Sequence, residues 1–262
     1  MKSITLAISK GGVGKTFLLT SIGAALASKG SKVVIVDTAA TLHIAKLLNV
    51  DKYNIKTLLN HVVERDLNVE ASIYPTPLKN LYLIPSGVPL KDYLDLDPFR
   101  LVEKLGTVDC DFLFVDVPYA IVGEAALISL GFCQYYILGP LDQTQGMGLC
   151  IEEALNTMEL AALLKTTPLG FIINKVKEPE QITKKYIKEL EDLFQIKCLA
   201  TLPYIKEVED SYKKGNITFP LNQMDKAFNR QIMKAADALK KPAEPAKSDP
   251  VDFMQKFIYQ KK

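Results

Sequence analysis

The sequence predicts a doubly wound α/β domain, a mostly parallel sheet with helices on both faces. Three observations carry that expectation. Short β-rich runs alternate with helical patterns along most of the chain. Most of those runs are apolar throughout rather than at every second position, as suits strands covered on both faces. A glycine-rich loop joins the first run to the first helical pattern, and ligands of such sheets bind at the strand C-termini.

The elements follow in order. Ile4–Ser9 reads as the first strand and Thr16–Lys29 as the first helix. Lys32–Asp37 is the second strand, and Leu81–Pro85 and Phe112–Asp116 are two more. Gln134–Leu138, Leu169–Asn174 and Lys197–Leu202 complete the set, with helical patterns such as Glu152–Lys165 and Ile182–Phe194 between them. No internal repeat is present. The composition shifts at Lys241, where Lys241-Pro-Ala-Glu-Pro-Ala-Lys-Ser-Asp-Pro250 is polar and proline-rich and reads as a linker. The expected organisation is a body over 1–240, a linker over 241–250 and a short helix over 251–262.

A chain of 262 residues, nearly half of them apolar, can bury a sizeable core. Its net charge of +2 selects no partner, but the charge is unevenly placed. From Lys175 onward there are 18 Lys and Arg against 13 Asp and Glu; before it there are 14 against 17. A basic C-terminal third can face phosphates or an anionic membrane, and it can equally be a solvated surface. Cys110, Cys133, Cys150 and Cys198 form no CxxC pair and sit in or beside apolar runs, which fits buried thiols in a reducing compartment and opposes a zinc or iron–sulfur site. Met1-Lys2-Ser3 leads straight into a strand, without a signal-peptide pattern, and no apolar run reaches the roughly 20 residues of a membrane span. A cytoplasmic protein is expected. His43 and His61 have no ligand spacing around them.

The chemistry is concentrated in Lys10-Gly-Gly-Val-Gly-Lys-Thr16, set between the first strand and the first helix. Gly11, Gly12 and Gly14 let the backbone approach phosphates, and Val13 lies among them. The helix N-terminus adds a partial positive charge. Lys15 is expected at the β- and γ-phosphates of a nucleotide and the Thr16 hydroxyl on Mg²⁺.

The stretch Ser9–Thr16 resembles the ParA/MinD family of deviant Walker A ATPases, with Ser9 where a standard phosphate loop has glycine and Lys10 following it. The resemblance covers most of the chain to about Lys240. It implies ATP and Mg²⁺ as cofactors and an ATP-dependent homodimer in which Lys10 reaches the partner's phosphates. It implies that Asp116, ending Phe114-Val-Asp-Val-Pro118, holds Mg²⁺ through water, and that Pro118 begins a switch loop. By the same resemblance Asn174 reads adenine, the backbone of Pro203 and Tyr204 lies along the base, and Lys10, Lys15 and Asp37 form the catalytic set. Two positions depart from the family pattern. Asp37-Thr38-Ala39 lacks the second carboxylate of the family's Asp-x-Asp pair, and Phe17 stands where a second threonine usually contacts the α-phosphate. Loss of a water-orienting carboxylate is worth roughly 10²–10⁴ in rate, so slow hydrolysis is expected.

The implied function is an ATP-dependent dimerisation switch for spatial organisation, at a division site or cell pole. A DNA-partition ATPase and a non-catalytic ATP-bound scaffold are the alternatives. Asp249 can cap a C-terminal helix that begins at Pro250. Val251, Phe253, Met254, Phe257 and Ile258 fall on one face of it, and Asp252, Gln255, Lys256, Gln260 and Lys262 on the other. Such a segment can anchor the protein peripherally on the inner face of the cell membrane, pack on its own domain or a partner subunit, or enter a partner's groove. Lys184, Lys185 and Lys188, and Lys226, Arg230 and Lys234, are candidate DNA contacts or simply a wet face. The activating partner protein is not legible.

Overall fold

The computed structural model describes residues 1–89, 92, 96–117, 129–177, 180–214, 226–247, 249, 250 and 252. Pro118 and the apolar face expected of Val251, Phe253, Met254, Phe257 and Ile258 lie outside the described residues.

Eight strands among the described residues form one sheet in the order β3-β4-β2-β5-β1-β6-β7-β8. They are β1 (Lys2–Ala7), β2 (Val33–Asp37), β3 (Tyr74–Pro75), β4 (Leu81–Pro85), β5 (Phe112–Asp116), β6 (Tyr135–Asp142), β7 (Thr167–Val176) and β8 (Cys198–Pro203). Every pairing is parallel except the one between β3 and β4. The chain leaves β1 toward β2 on one side and returns after β5 to β6 on the other. That reversal places a crevice at the C-terminal end of β1, where an open α/β sheet takes its ligand.

All seven expected strands are present. The two-residue β3 is too short to leave a pattern, and its Pro75 sits on an edge, where a missing N–H costs no ladder bond. Strand β6 runs past Leu138, through Gly139 and Pro140, to Asp142. A register shift toward β7 accommodates the interruption. Only glycine fits at 139, where φ is +107° and a Cβ would lie 2.8 Å from Leu141 N.

Helices α1 (Lys15–Ser28) and α2 (His43–Leu47) cover one face together with α8 (Lys226–Leu239); α3 (Leu59–Glu64), α4 (Pro98–Gly106), α5 (Met147–Leu163) and α6 (Glu180–Phe194) cover the other, and α7 (Lys206–Lys214) follows β8. Each face has its own apolar core. Helix α1 is buried on nearly every side, because the sheet lies beneath it and α8 beside it. That explains its uniformly apolar sequence, which a surface helix would not tolerate.

The polar stretch expected to act as a linker is held against the domain through residue 247. It runs beneath the N-terminal ends of three strands. Lys2 Nζ donates to Leu239 O (2.9 Å) and Lys241 O (2.5 Å), the Tyr135 hydroxyl donates to Ala243 O, and Ala246 N donates to Thr167 Oγ1 at 2.7 Å. Lys2, Tyr135 and Thr167 open β1, β6 and β7. Composition reads this stretch as a tether because its partners are far away in sequence.

Candidate nucleotide-binding site

The loop between β1 and α1 lies at the crevice. Gly14 caps α1 with φ of +100°, and a Cβ there would come within 2.9 Å of Asn174 Nδ2. Position 14 therefore needs glycine for both conformation and space. Val13 is fully buried and fastens the loop to the core, while Gly11 and Gly12 are exposed. Asn174, ending the buried part of β7, donates from Nδ2 to Val13 O at 2.9 Å and braces the loop from the side. Lys175 has φ of +55° and donates to Asp142 Oδ2 at 2.8 Å.

Lys15 is buried under the loop, where Nζ donates to Lys10 O (2.8 Å) and more distantly to Ile8 O (3.4 Å). Burial pulls its pKa down to about 8, and the charge of Asp116 opposes that shift. Thr16 Oγ1 donates to Asp116 Oδ2 at 2.8 Å. Asp116 is buried at the end of β5, in register with Asp37 at the end of β2. Burial raises its pKa to about 7; Asp37 adds to the rise, and Thr16 and Lys15 oppose it. Its Oδ1 has no hydrogen-bond partner among the described residues. An orphaned buried carboxylate oxygen beside a threonine hydroxyl suits a hydrated divalent cation, which would supply the missing partner and favour the ionised form.

Asp37 faces the backbone. Its Oδ1 accepts from Ala39 N at 3.0 Å and its Oδ2 from Ile44 N at 3.2 Å, so it holds the turn into α2. Burial raises its pKa, and those two amides hold it down. Ala39 is buried and brings no polar side chain. Ser9 donates through Oγ to Glu153 Oε2 on α5, tying the loop's first residue to that helix. Lys10 stands half-buried at the mouth of the loop.

Beside the loop lies a cavity of about 350 Å³. Gly12, Gly14, Lys15, Thr16 and Phe17 form one wall, and Asn174, Lys175, Pro203 and Tyr204 another. Ile205, Val208 and Glu209 of the segment after β8, with Phe228 of α8, close it. Phe17 packs on Phe228 with ring centroids 5.6 Å apart, so the residue that replaces a threonine becomes apolar wall. Lys177 Nζ lies 4.2 Å from the centroid of the Tyr204 ring, whose hydroxyl donates to Glu209 Oε2 at 3.1 Å. Lys15 and Thr16 give the cavity polar lining, and Phe17, Pro203, Ile205, Val208 and Phe228 give it apolar lining.

The sequence matches the CobQ/CobB/MinD/ParA nucleotide binding domain over residues 4–219. The chain belongs to that family. An uncharacterized ATP-binding protein of Methanocaldococcus jannaschii is 34% identical over 261 residues, covering 98% of this chain and 95% of that one. The cell division ATPase MinD of Pyrococcus furiosus has the same fold at 24% identity, with a TM-score of 0.75 over 92% of this chain and 99% of its own. The septum site-determining MinD of Pyrococcus horikoshii, solved with Mg-ADP, gives 0.72 at 23% identity over 92% and 96%.

The structure thus brings Gly12, Gly14, Lys15, Thr16, Phe17, Asn174, Pro203 and Tyr204 around one cavity, with Asp116 at the foot of the loop. Gly11, Lys10 and Asp37 lie outside the cavity wall. Sequence reasoning missed Lys175, Ile205, Val208, Glu209 and Phe228. Lys175 could have been found by its place beside Asn174. Phe228 and Glu209 carry no local signal, since helix packing alone brings them to the loop. Lys184, Lys185, Lys188, Lys226, Arg230 and Lys234 are all exposed.

Proposed function

We propose that this protein is a slow ATPase that uses Mg·ATP as a dimerisation switch to position a cargo at a membrane surface. The observation that carries the reading is the Asp116 Oδ1 that has no partner among the described residues, beside Thr16 and Lys15 at the foot of the glycine-rich loop. Thr16 and, through water, Asp116 would hold Mg²⁺; the ion supplies charge neutralisation on the β- and γ-phosphate oxygens when bound. Lys15 exchanges two carbonyl acceptors for phosphate oxygens, which are stronger acceptors for a cation. The Gly11–Gly14 amides and the α1 N-terminus add fixed positive potential. Lys10, at the loop mouth, serves the partner's phosphates in a homodimer.

Asp37 acts as a positioning residue through the Ala39 and Ile44 amides. With Ala39 beside it, no second carboxylate orients the attacking water, and turnover is slow. Asn174 and the backbone of Pro203 and Tyr204 hold adenine, with Phe17 and Phe228 behind it. Residues 1–240 form the catalytic body, 241–250 connect it to the tail, and 251–262 attach the dimer to an anionic cytoplasmic membrane face through apolar area and lysine charge. Mg-ADP in the Pyrococcus horikoshii relative supports the nucleotide assignment by kinship.

The test is thermal stabilisation and light scattering with Mg·ATP, Mg·ADP and a slowly hydrolysed ATP analogue. Wild type gains stability with each nucleotide and doubles in mass with the ATP forms. Lys15→Ala gains no stability, and Lys10→Ala binds without dimerising. Stabilisation of Lys15→Ala equal to wild type removes the site assignment. A dimer that sediments with DNA but not with anionic vesicles moves the reading to partition.

A further inference from the structure

The C-terminal stretch ends in a buried cation that the nucleotide chemistry does not use. Lys247 is 4% exposed. Its Nζ donates to Leu130 O (2.6 Å), Gly131 O (2.8 Å), Leu164 O (2.9 Å) and Thr166 Oγ1 (3.0 Å). Thr166 in turn donates to Leu130 O at 2.5 Å. Leu130 and Gly131 belong to the helical residues 129–132, and Leu164 is the C-cap of α5. An ammonium therefore sits where two helices end, on carbonyls that have no partner within their own helices.

Of the two, α5 leads back to the nucleotide end. Helix α5 is a 17-residue rod, roughly 25 Å long at about 1.5 Å per residue. Near its other end Glu153 accepts from Ser9 of the phosphate loop, and Cys150 Sγ donates to Asp142 O. The stretch 241–247 is the part of the chain that precedes the amphipathic residues 251–262.

We propose that Lys247 is a latch: it holds residues 241–247 against the base of the sheet in the nucleotide-free protein and lets go when Mg·ATP at the phosphate loop shifts α5 relative to residues 129–132. This rests on the proposed nucleotide site. The latch is sensitive because one ammonium spans carbonyls of two separate elements. A relative shift of about 1 Å moves at least one acceptor beyond hydrogen-bond distance. Release adds seven residues of chain to whatever follows, up to roughly 25 Å of reach at about 3.5 Å per residue. The nucleotide would then set how far residues 251–262 can travel from the body.

Hydrogen exchange of the Ala246 amide, which donates to Thr167 Oγ1, tests this in the full chain, with nucleotide occupancy read by calorimetry on the same samples. That amide is protected without nucleotide, and saturating Mg²⁺ with a slowly hydrolysed ATP analogue speeds its exchange about tenfold. Lys247→Gln exchanges fast in both states. Because coupling is reciprocal, it also binds the analogue more tightly by about the same factor. If Lys247→Gln fails to fold, Thr166→Val, which removes one acceptor and keeps the side-chain shape, shows a smaller change in the same direction. Equal protection with and without bound analogue overturns the latch and leaves the nucleotide site standing. So does an unchanged affinity in a folded latch variant. Failure of wild type to bind the analogue overturns the nucleotide site, and the latch with it.

Discussion

The two ends of the sheet each bury a lysine, and they differ in how well its surroundings are satisfied. At the C-terminal end Lys15 is 4% exposed, with one close and one distant carbonyl for its ammonium, beside a carboxylate with an orphaned oxygen. At the N-terminal end Lys247 is equally buried and has four close acceptors. Burial pulls both below the usual lysine range, to about 8 and about 7. One site is poised for a ligand and the other is already filled by the chain itself. Binding capacity therefore shows in the unsatisfied groups around a buried cation, because those are what a ligand can improve.

The comparison can be broken most directly by removing each lysine from the nucleotide-free protein. Lys247→Gln leaves helix-end carbonyls without a full set of donors and should cost about 3 kcal/mol, at ~1–3 kcal/mol per orphaned group. Lys15→Ala removes a cation that its surroundings hold poorly and should cost under ~1 kcal/mol in urea or thermal unfolding. Equal losses from the two changes would end the distinction between a poised and a filled site.

An effect of comparable size, about 2.7 kcal/mol at the lower bound of 10²-fold, is expected of Ala39→Asp in steady-state turnover. The new carboxylate enters the poised end and restores a water-orienting group. Fast turnover in wild type with no gain in the variant would mean another residue performs that role.

The pH dependence sharpens the comparison further. Asp116 must lose its proton to receive a metal, and its pKa stands at about 7. Affinity for Mg·ADP should therefore rise with pH up to about 7, by about tenfold per unit on that limb. Lys15 must be charged to hold phosphate and stands at about 8, so affinity levels and then falls above that value. The stability sign is the reverse for Asp116. Its pKa is raised on folding, so without nucleotide its contribution is greatest at low pH and declines as pH rises toward about 7. Calorimetry and thermal unfolding from pH 5 to 9 should show these opposite trends; affinity flat across that range would remove both groups from the site.

The smallest expected effect is at the mouth of the base pocket. Glu209→Gln keeps an acceptor for the Tyr204 hydroxyl but removes its charge, and should weaken nucleotide affinity less than ~5-fold. A loss of 100-fold would show that Glu209 contacts the nucleotide directly.

Much of this molecule is legible in the amino-acid order because its determinants are local. Continuous apolar runs gave seven strands, since a strand buried on both faces has no polar side to alternate. The loop Ser9–Thr16 is legible for the same reason: backbone freedom, a cation and a hydroxyl sit within eight residues, and the strand before them fixes where they point. Asp116 is legible through its place at the end of an apolar strand. The tertiary structure alone decided that Asp37 serves backbone amides, that Phe17 meets Phe228, and that Glu153 holds Ser9. It alone decided that the polar stretch after Lys240 is fastened beneath the sheet. Those outcomes depend on pairs far apart in the sequence or on backbone amides and carbonyls, which nearly every residue carries alike. A side chain's sequence neighbours say what it can donate; only the packed chain says which acceptors come within 3 Å of it.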